Sequence, residues 1–136
     1  MSSASTKIDY GKLFLPTAHA MADLAALQTL PQFRNLGKVE NKQADAKTYD
    51  PVTEADRNAE KVMRDHLTSA WPDHQIIGEE FGISGESDMQ WILDPIDGTR
   101  SFVSGVPVWG TLIGLYDHGQ AVIGLMDQSF TGERFY

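Results

Sequence analysis

The chain has 136 residues, 41% of them apolar and 22% charged, which suits one globular domain with a modest core. A formal charge of −8 argues against a nucleic-acid or anionic-membrane surface, because both need clustered lysine and arginine. The lack of cysteine excludes disulfides, thiolate nucleophiles and cysteine-type zinc sites. No run reaches the roughly 20 apolar residues of a membrane helix. Met1 to Tyr10 is polar and lacks the apolar core of a signal peptide, so a cytoplasmic location is expected.

Residues 1–9 read as a flexible tail and residues 10–136 as one folded unit. From about Lys12 to Leu30 the pattern is helical, with Leu13, Ala20, Leu24 and Leu27 on one apolar face. Pro16 is expected in the first turn, where its missing N–H is harmless, and Pro31 ends the run. His19 and Asp23, four apart on this helix, read as a solvated face rather than a metal pair. Gly37 to Ala46 is polar, with a short strand expected around Lys38–Lys42.

Thr53 with Asp56 three residues later resembles a capping box, with aspartate in place of the usual glutamate. A helix should follow to about Ala70, burying Ala59, Val62, Met63, His66 and Leu67, and closed by Trp71-Pro72. Taken alone, Asp50 to Asp56 is a helix entry. Gln75-Ile76-Ile77 reads as a short strand ending in Gly78-Glu79-Glu80, and Phe81 to Asp88 as a loop. A second strand is expected from Met89 to Leu93. If the two strands are adjacent and end at one sheet edge, Glu79 comes close to Asp94 and Asp97.

The most informative stretch is Trp91-Ile-Leu-Asp-Pro-Ile-Asp-Gly-Thr-Arg-Ser-Phe102. The apolar run delivers Asp94 at a strand's carboxyl end, and Pro95 and Gly98 turn the chain to present Asp97. Thr99 then stands at a helix start, where free backbone N–H groups and the helix dipole suit a phosphate. Two carboxylates about 4 Å apart repel by about 4 kcal/mol at an effective dielectric of 20. Either one stays protonated or a cation lies between them, and the tight geometry favours a hard divalent cation. Beyond it, Gly110 to Tyr116 and Gln120 to Met126 form a hairpin through Asp117-His118-Gly119. Glu133 to Tyr136 reads as the beginning of a further strand, with an unpaired edge. His19, His66, His74 and His118 show no ligand spacing.

Asp94 to Phe102 resembles the signature of the inositol monophosphatase superfamily, Asp-Pro-(Ile/Leu)-Asp-Gly-Thr-Xaa-Xaa-Phe. Asp50-Pro-Val-Thr-Glu-Ala-Asp56 and Gly78-Glu79-Glu80 match two further family elements in the right order. Asp-Pro-Val-Thr-Glu-Ala-Asp-Arg, Gly-Thr-Arg-Ser-Phe and Trp109-Gly-Thr-Leu-Ile-Gly114 are most similar to the bacterial histidinol-phosphate phosphatase branch.

The resemblance covers nearly the whole chain and about the first half of the family. It implies an α+β fold, the N-terminal layer of a layered sandwich with two long helices on a mostly antiparallel sheet. The family's second half, with one more metal-binding aspartate and much of the substrate pocket, is expected to be absent here. The implied function is Mg2+-dependent hydrolysis of a small phosphate ester, histidinol phosphate foremost. Inositol 1-phosphate or a related sugar or nucleotide phosphate is the alternative, as is a metal-binding half-domain without turnover.

By the same resemblance, Glu79 and Asp94 would bind one Mg2+ with the carbonyl of Ile96. Asp94 would bridge to a second, shared with Asp97 and the absent aspartate. Asp50 and Thr99 would orient and deprotonate the attacking water, and the N–H groups of Gly98 and Thr99 would hold the phosphate. Lithium inhibition and a homodimer are further implications. A haloacid-dehalogenase reading fits less well, because its two aspartates are two residues apart whereas Asp94 and Asp97 are three apart. An EF-hand loop fits worse still, since Pro95 breaks its alternating ligands.

Overall fold

The computed structural model describes residues 7–35 and 54–136. Two helices, α1 (Tyr10–Thr29) and α2 (Glu54–Ala70), lie on a sheet of six strands. The strands are β1 (Gln75–Gly78), β2 (Gly82–Ser84), β3 (Met89–Asp97), β4 (Gly110–Asp117), β5 (Gln120–Gln128) and β6 (Glu133–Phe135). A six-residue helix, α3 (Thr99–Ser104), follows β3. The sheet order is β2-β1-β3-β4-β5-β6, and every neighbouring pair except β1 with β3 is antiparallel. This is the expected α+β layer. The expected strand at Lys38–Lys42 and the Thr53 cap lie outside the described residues.

Asp9 caps α1, its carboxylate accepting the Lys12 N–H at 3.0 Å. The helix begins two residues earlier than expected and carries Pro16 inside it rather than in its first turn. A proline there removes one helix bond, at a cost of about 3 kcal/mol. Tertiary packing offsets that cost, because Phe14, Ala18, Met21, Ala22 and Ala25 are buried against Ala59, Met63 and Leu67 of α2 and the sheet. The apolar face is therefore not the one expected. Leu13 and Leu27 are 49% and 69% exposed, and the alanines are what allow a close approach.

Along α2, Ala59, Met63 and Leu67 are buried as expected, while Val62 and His66 are only half-buried. Two charged residues of this helix are unexpectedly buried, Asp56 and Glu60. The expected loop after Glu80 contains β2, which pairs with β1 through Gly78↔Gly82 and Ile76↔Ser84. Its three residues are all exposed, so no apolar pattern announced it. The β4–β5 hairpin is as expected, with His118 and Gly119 at φ 51° and 80°, the left-handed pair that a two-residue turn requires.

The core lies between the helices and one face of the sheet, where Trp91, Leu93, Ile113, Leu115, Ile123 and Leu125 point. The alternate residues face away. A broad trough on that other face is lined by Ile92, Leu112, Gly114, Met126 and Phe135, and it reaches Asp94.

Candidate active site

Strand β3 extends four residues further than its apolar run. Asp94 pairs with Leu112 and Asp97 with Gly110, so Pro95 and Ile96 together stand opposite Thr111 alone. That is a β-bulge, and it explains why a proline is tolerated in a central strand. Thr111, fully buried, donates its hydroxyl to the Pro95 carbonyl at 2.8 Å and fixes the bulge. Pro95 and Ile96 are buried whereas Asp97 is exposed. The chain reverses at Gly98, with φ 89°, where an added Cβ would lie 2.7 Å from the Val108 carbonyl oxygen. Thr99 opens α3 and donates its hydroxyl to the Ile96 carbonyl at 3.1 Å.

The parallel ladder of β1 and β3 aligns Gly78 with Leu93, so Glu79 leaves β1 alongside Asp94. Asp94 is half-buried, and one of its carboxylate oxygens is buried without a hydrogen-bond partner. Burial first, then the negative charges of Glu79 and Asp97, push its carboxyl up to about 6, against an ordinary 3.8. The Ile96 N–H, bonded to the carboxylate, opposes that rise.

Glu79, Asp94, Ile96, Asp97, Gly98 and Thr99 thus lie at one end of two neighbouring strands. Asp50, the remaining expected site residue, lies outside the described residues. Among the described residues no three histidine, aspartate or glutamate side chains stand close enough to hold a metal ion by themselves.

The donor set nevertheless suits a hard cation. It has carboxylate and carbonyl oxygens, and an orphaned buried carboxylate oxygen that a cation would satisfy. The Ile96 carbonyl has two lone pairs, of which the Thr99 hydroxyl uses one.

Two contributors escaped the sequence reading. Thr111 holds the bulge, and Glu60 lies beneath the Glu79 turn. The signal for Glu60 was its pairing with Arg64 at i,i+4 on a helix, which reads by default as a surface pair. His19 and Asp23 are also not simply solvated: both contact Arg134, at 3.1 and 2.7 Å.

Comparison with known proteins gives the same class. The profile described as the Inositol monophosphatase family matches residues 13–136. The chain belongs to the inositol monophosphatase family. It is 42% identical over 127 residues to the histidinol-phosphatase of Streptomyces coelicolor, covering 90% of this chain and 46% of that protein. It is 40% identical over 123 residues to the histidinol-phosphatase of Chlorobaculum parvum, covering 89% and 46%. The solved structure of an inositol monophosphatase from Zymomonas mobilis superposes with a TM-score of 0.76 at 38% identity, covering 94% of this chain and 47% of that one. The chain spans about half the length of these relatives.

Proposed function

We infer that residues 10–136 form the N-terminal half of a Mg2+-dependent phosphomonoesterase that acts on a small phosphate ester, histidinol phosphate foremost. The carrying observation is Asp94, whose half-buried carboxylate has an unpartnered oxygen and two acidic neighbours. Glu79, Asp94, Asp97 and the Ile96 carbonyl would hold the metal. When bound, Mg2+ lowers the pKa of a water and neutralises charge on the phosphate oxygens.

The chain's own residues supply the rest. Thr99, with its hydroxyl proton committed to the Ile96 carbonyl, keeps a lone pair to orient the attacking water. Asp50 would take that water's proton. The N–H groups of Gly98 and Thr99, at a helix start, would hold phosphate oxygens. No histidine or cysteine nucleophile is called upon.

The similarity to the two histidinol-phosphatases favours histidinol phosphate. The Zymomonas mobilis relative makes inositol 1-phosphate the second reading. Phosphate release from each ester by the intact protein, at equal concentration, separates them. A higher kcat/KM for histidinol phosphate is expected, and a preference for inositol 1-phosphate would reverse the assignment. Lithium is expected to inhibit by competing for the site at Asp97, and insensitivity over a wide concentration range would count against that site. A homodimer belongs to the same reading and rests on the family resemblance.

A further inference from the structure

The turn that carries Glu79 is held from below by a carboxylate that no expected role accounts for. Glu60, on α2, is completely buried. One of its oxygens accepts the Glu80 N–H at 2.9 Å, and the other accepts the Phe81 N–H at 2.9 Å and the Arg64 Nε–H at 2.8 Å. Arg64 continues the link outward, donating to the Gly82 carbonyl and, at 2.8 Å, to the Ser84 hydroxyl. The side chain fits only because residue 78 is glycine, since a Cβ there would lie 2.5 Å from the Glu60 carboxyl carbon. Gly78, Glu80 and Phe81 are therefore all seated on one side chain, and Glu79 lies between them.

Burying a carboxylate this completely is costly unless each oxygen is bonded, and here each is. If stability were the only need, an apolar side chain would fill the same space at lower cost. Such a residue would not fix the directions of two consecutive N–H groups.

We propose that Glu60 is a positioning residue for the metal site: it locks the backbone of residues 79–81 so that Glu79 faces Asp94. This rests on the reading of Glu79 as a metal ligand. Glu60 itself touches neither substrate nor cation. Its oxygens are occupied by the turn and by Arg64.

The test uses the intact protein and three variants, Glu60→Gln, Glu79→Gln and the double variant, with Gly78→Ala as an independent way to displace the Glu60 carboxylate. Calorimetry reads Mg2+ affinity, and amide hydrogen exchange reads the Glu80 and Phe81 N–H groups. Glu60→Gln keeps one accepting oxygen and turns the other into a donor that faces donors. It should weaken Mg2+ binding about 10- to 100-fold, as loss of a ligand's supporting partner does elsewhere, and speed exchange at residues 80 and 81. Gly78→Ala should weaken Mg2+ binding in the same direction.

Added to Glu79→Gln, the Glu60 change should cost no further affinity, because it acts through Glu79. Equal losses in both backgrounds, or unchanged Mg2+ affinity in Glu60→Gln and Gly78→Ala alike, would overturn the proposal. If Glu79→Gln alone leaves affinity unchanged, the ligand reading fails, and the role of Glu60 fails with it.

Discussion

The proposed metal site turns on one carboxyl group, that of Asp94. Its value near 6 is raised above the ordinary 3.8, so the cation-free fold holds this proton more tightly than the unfolded chain does. In that state its contribution to stability is complete below about 4 and is lost as pH rises through about 6. Cation binding runs the other way, because it requires the ionised carboxylate. Mg2+ affinity of the intact protein should therefore fall as pH drops below about 6, by up to about tenfold per unit for one proton, measured by calorimetry across pH 5 to 8. Affinity that stays flat over this range would mean Asp94 is not a ligand. Asp94→Asn removes the charge and keeps the shape. It should lower kcat by about 10^3-fold or more, because several kcal/mol of charge stabilisation disappear with it. Near-normal turnover in that variant would contradict the ligand assignment.

At the scale of elements, β3 shows what the sequence conveyed and what it hid. The order of Asp94, Asp97, Gly98 and Thr99 was readable, and so was the helix that Thr99 begins. Pro95 looked like a strand terminator. It instead occupies a bulge, where two residues face the single residue Thr111, so its missing N–H does not break a ladder pairing. That arrangement depends on Thr111 of the partner strand, 16 residues away, which local pattern does not reveal.

The helix face misled for a related reason. Ala18, Ala22 and Ala25 give a weak apolar signal although they carry the packing, while Leu13 and Leu27 give a strong one and face outward. Strand β2 had no apolar pattern to read and is held by Arg64. Gly98 tests the account of the turn. Gly98→Ala combines a φ of 89° with a Cβ 2.7 Å from a carbonyl oxygen. It should destabilise by about 1–3 kcal/mol in urea unfolding and reduce phosphatase activity beyond that loss. An unchanged midpoint would show that the turn is more permissive than its geometry implies.

Across the molecule, polar side chains tie distant segments together, as Tyr10 does with Asp117 and Trp71 with Thr17. Arg134 on β6 bonds Asp127 on β5 at 2.9 Å and Asp23 on α1 at 2.7 Å. Asp127 is buried, with Ser129 as its other side-chain partner at 2.7 Å. Arg134→Met should cost about 2–4 kcal/mol of stability, since it removes the cationic partner of a buried carboxylate and leaves it only the Ser129 hydroxyl among the side-chain bonds described, and should leave Mg2+ affinity unchanged because the proposed site lies at β1 and β3. A large affinity loss with normal stability would place Arg134 in the site instead. The site itself is a product of strand order. Parallel pairing of β1 with β3 is what sets Glu79 beside Asp94 across a gap of 15 residues in sequence.

The most direct measurement is the rate of phosphate release by the intact protein as free Mg2+ is varied with a chelator and restored. Activity should vanish when Mg2+ is removed and return in full when it is added back. Undiminished release in the chelated protein would contradict the account.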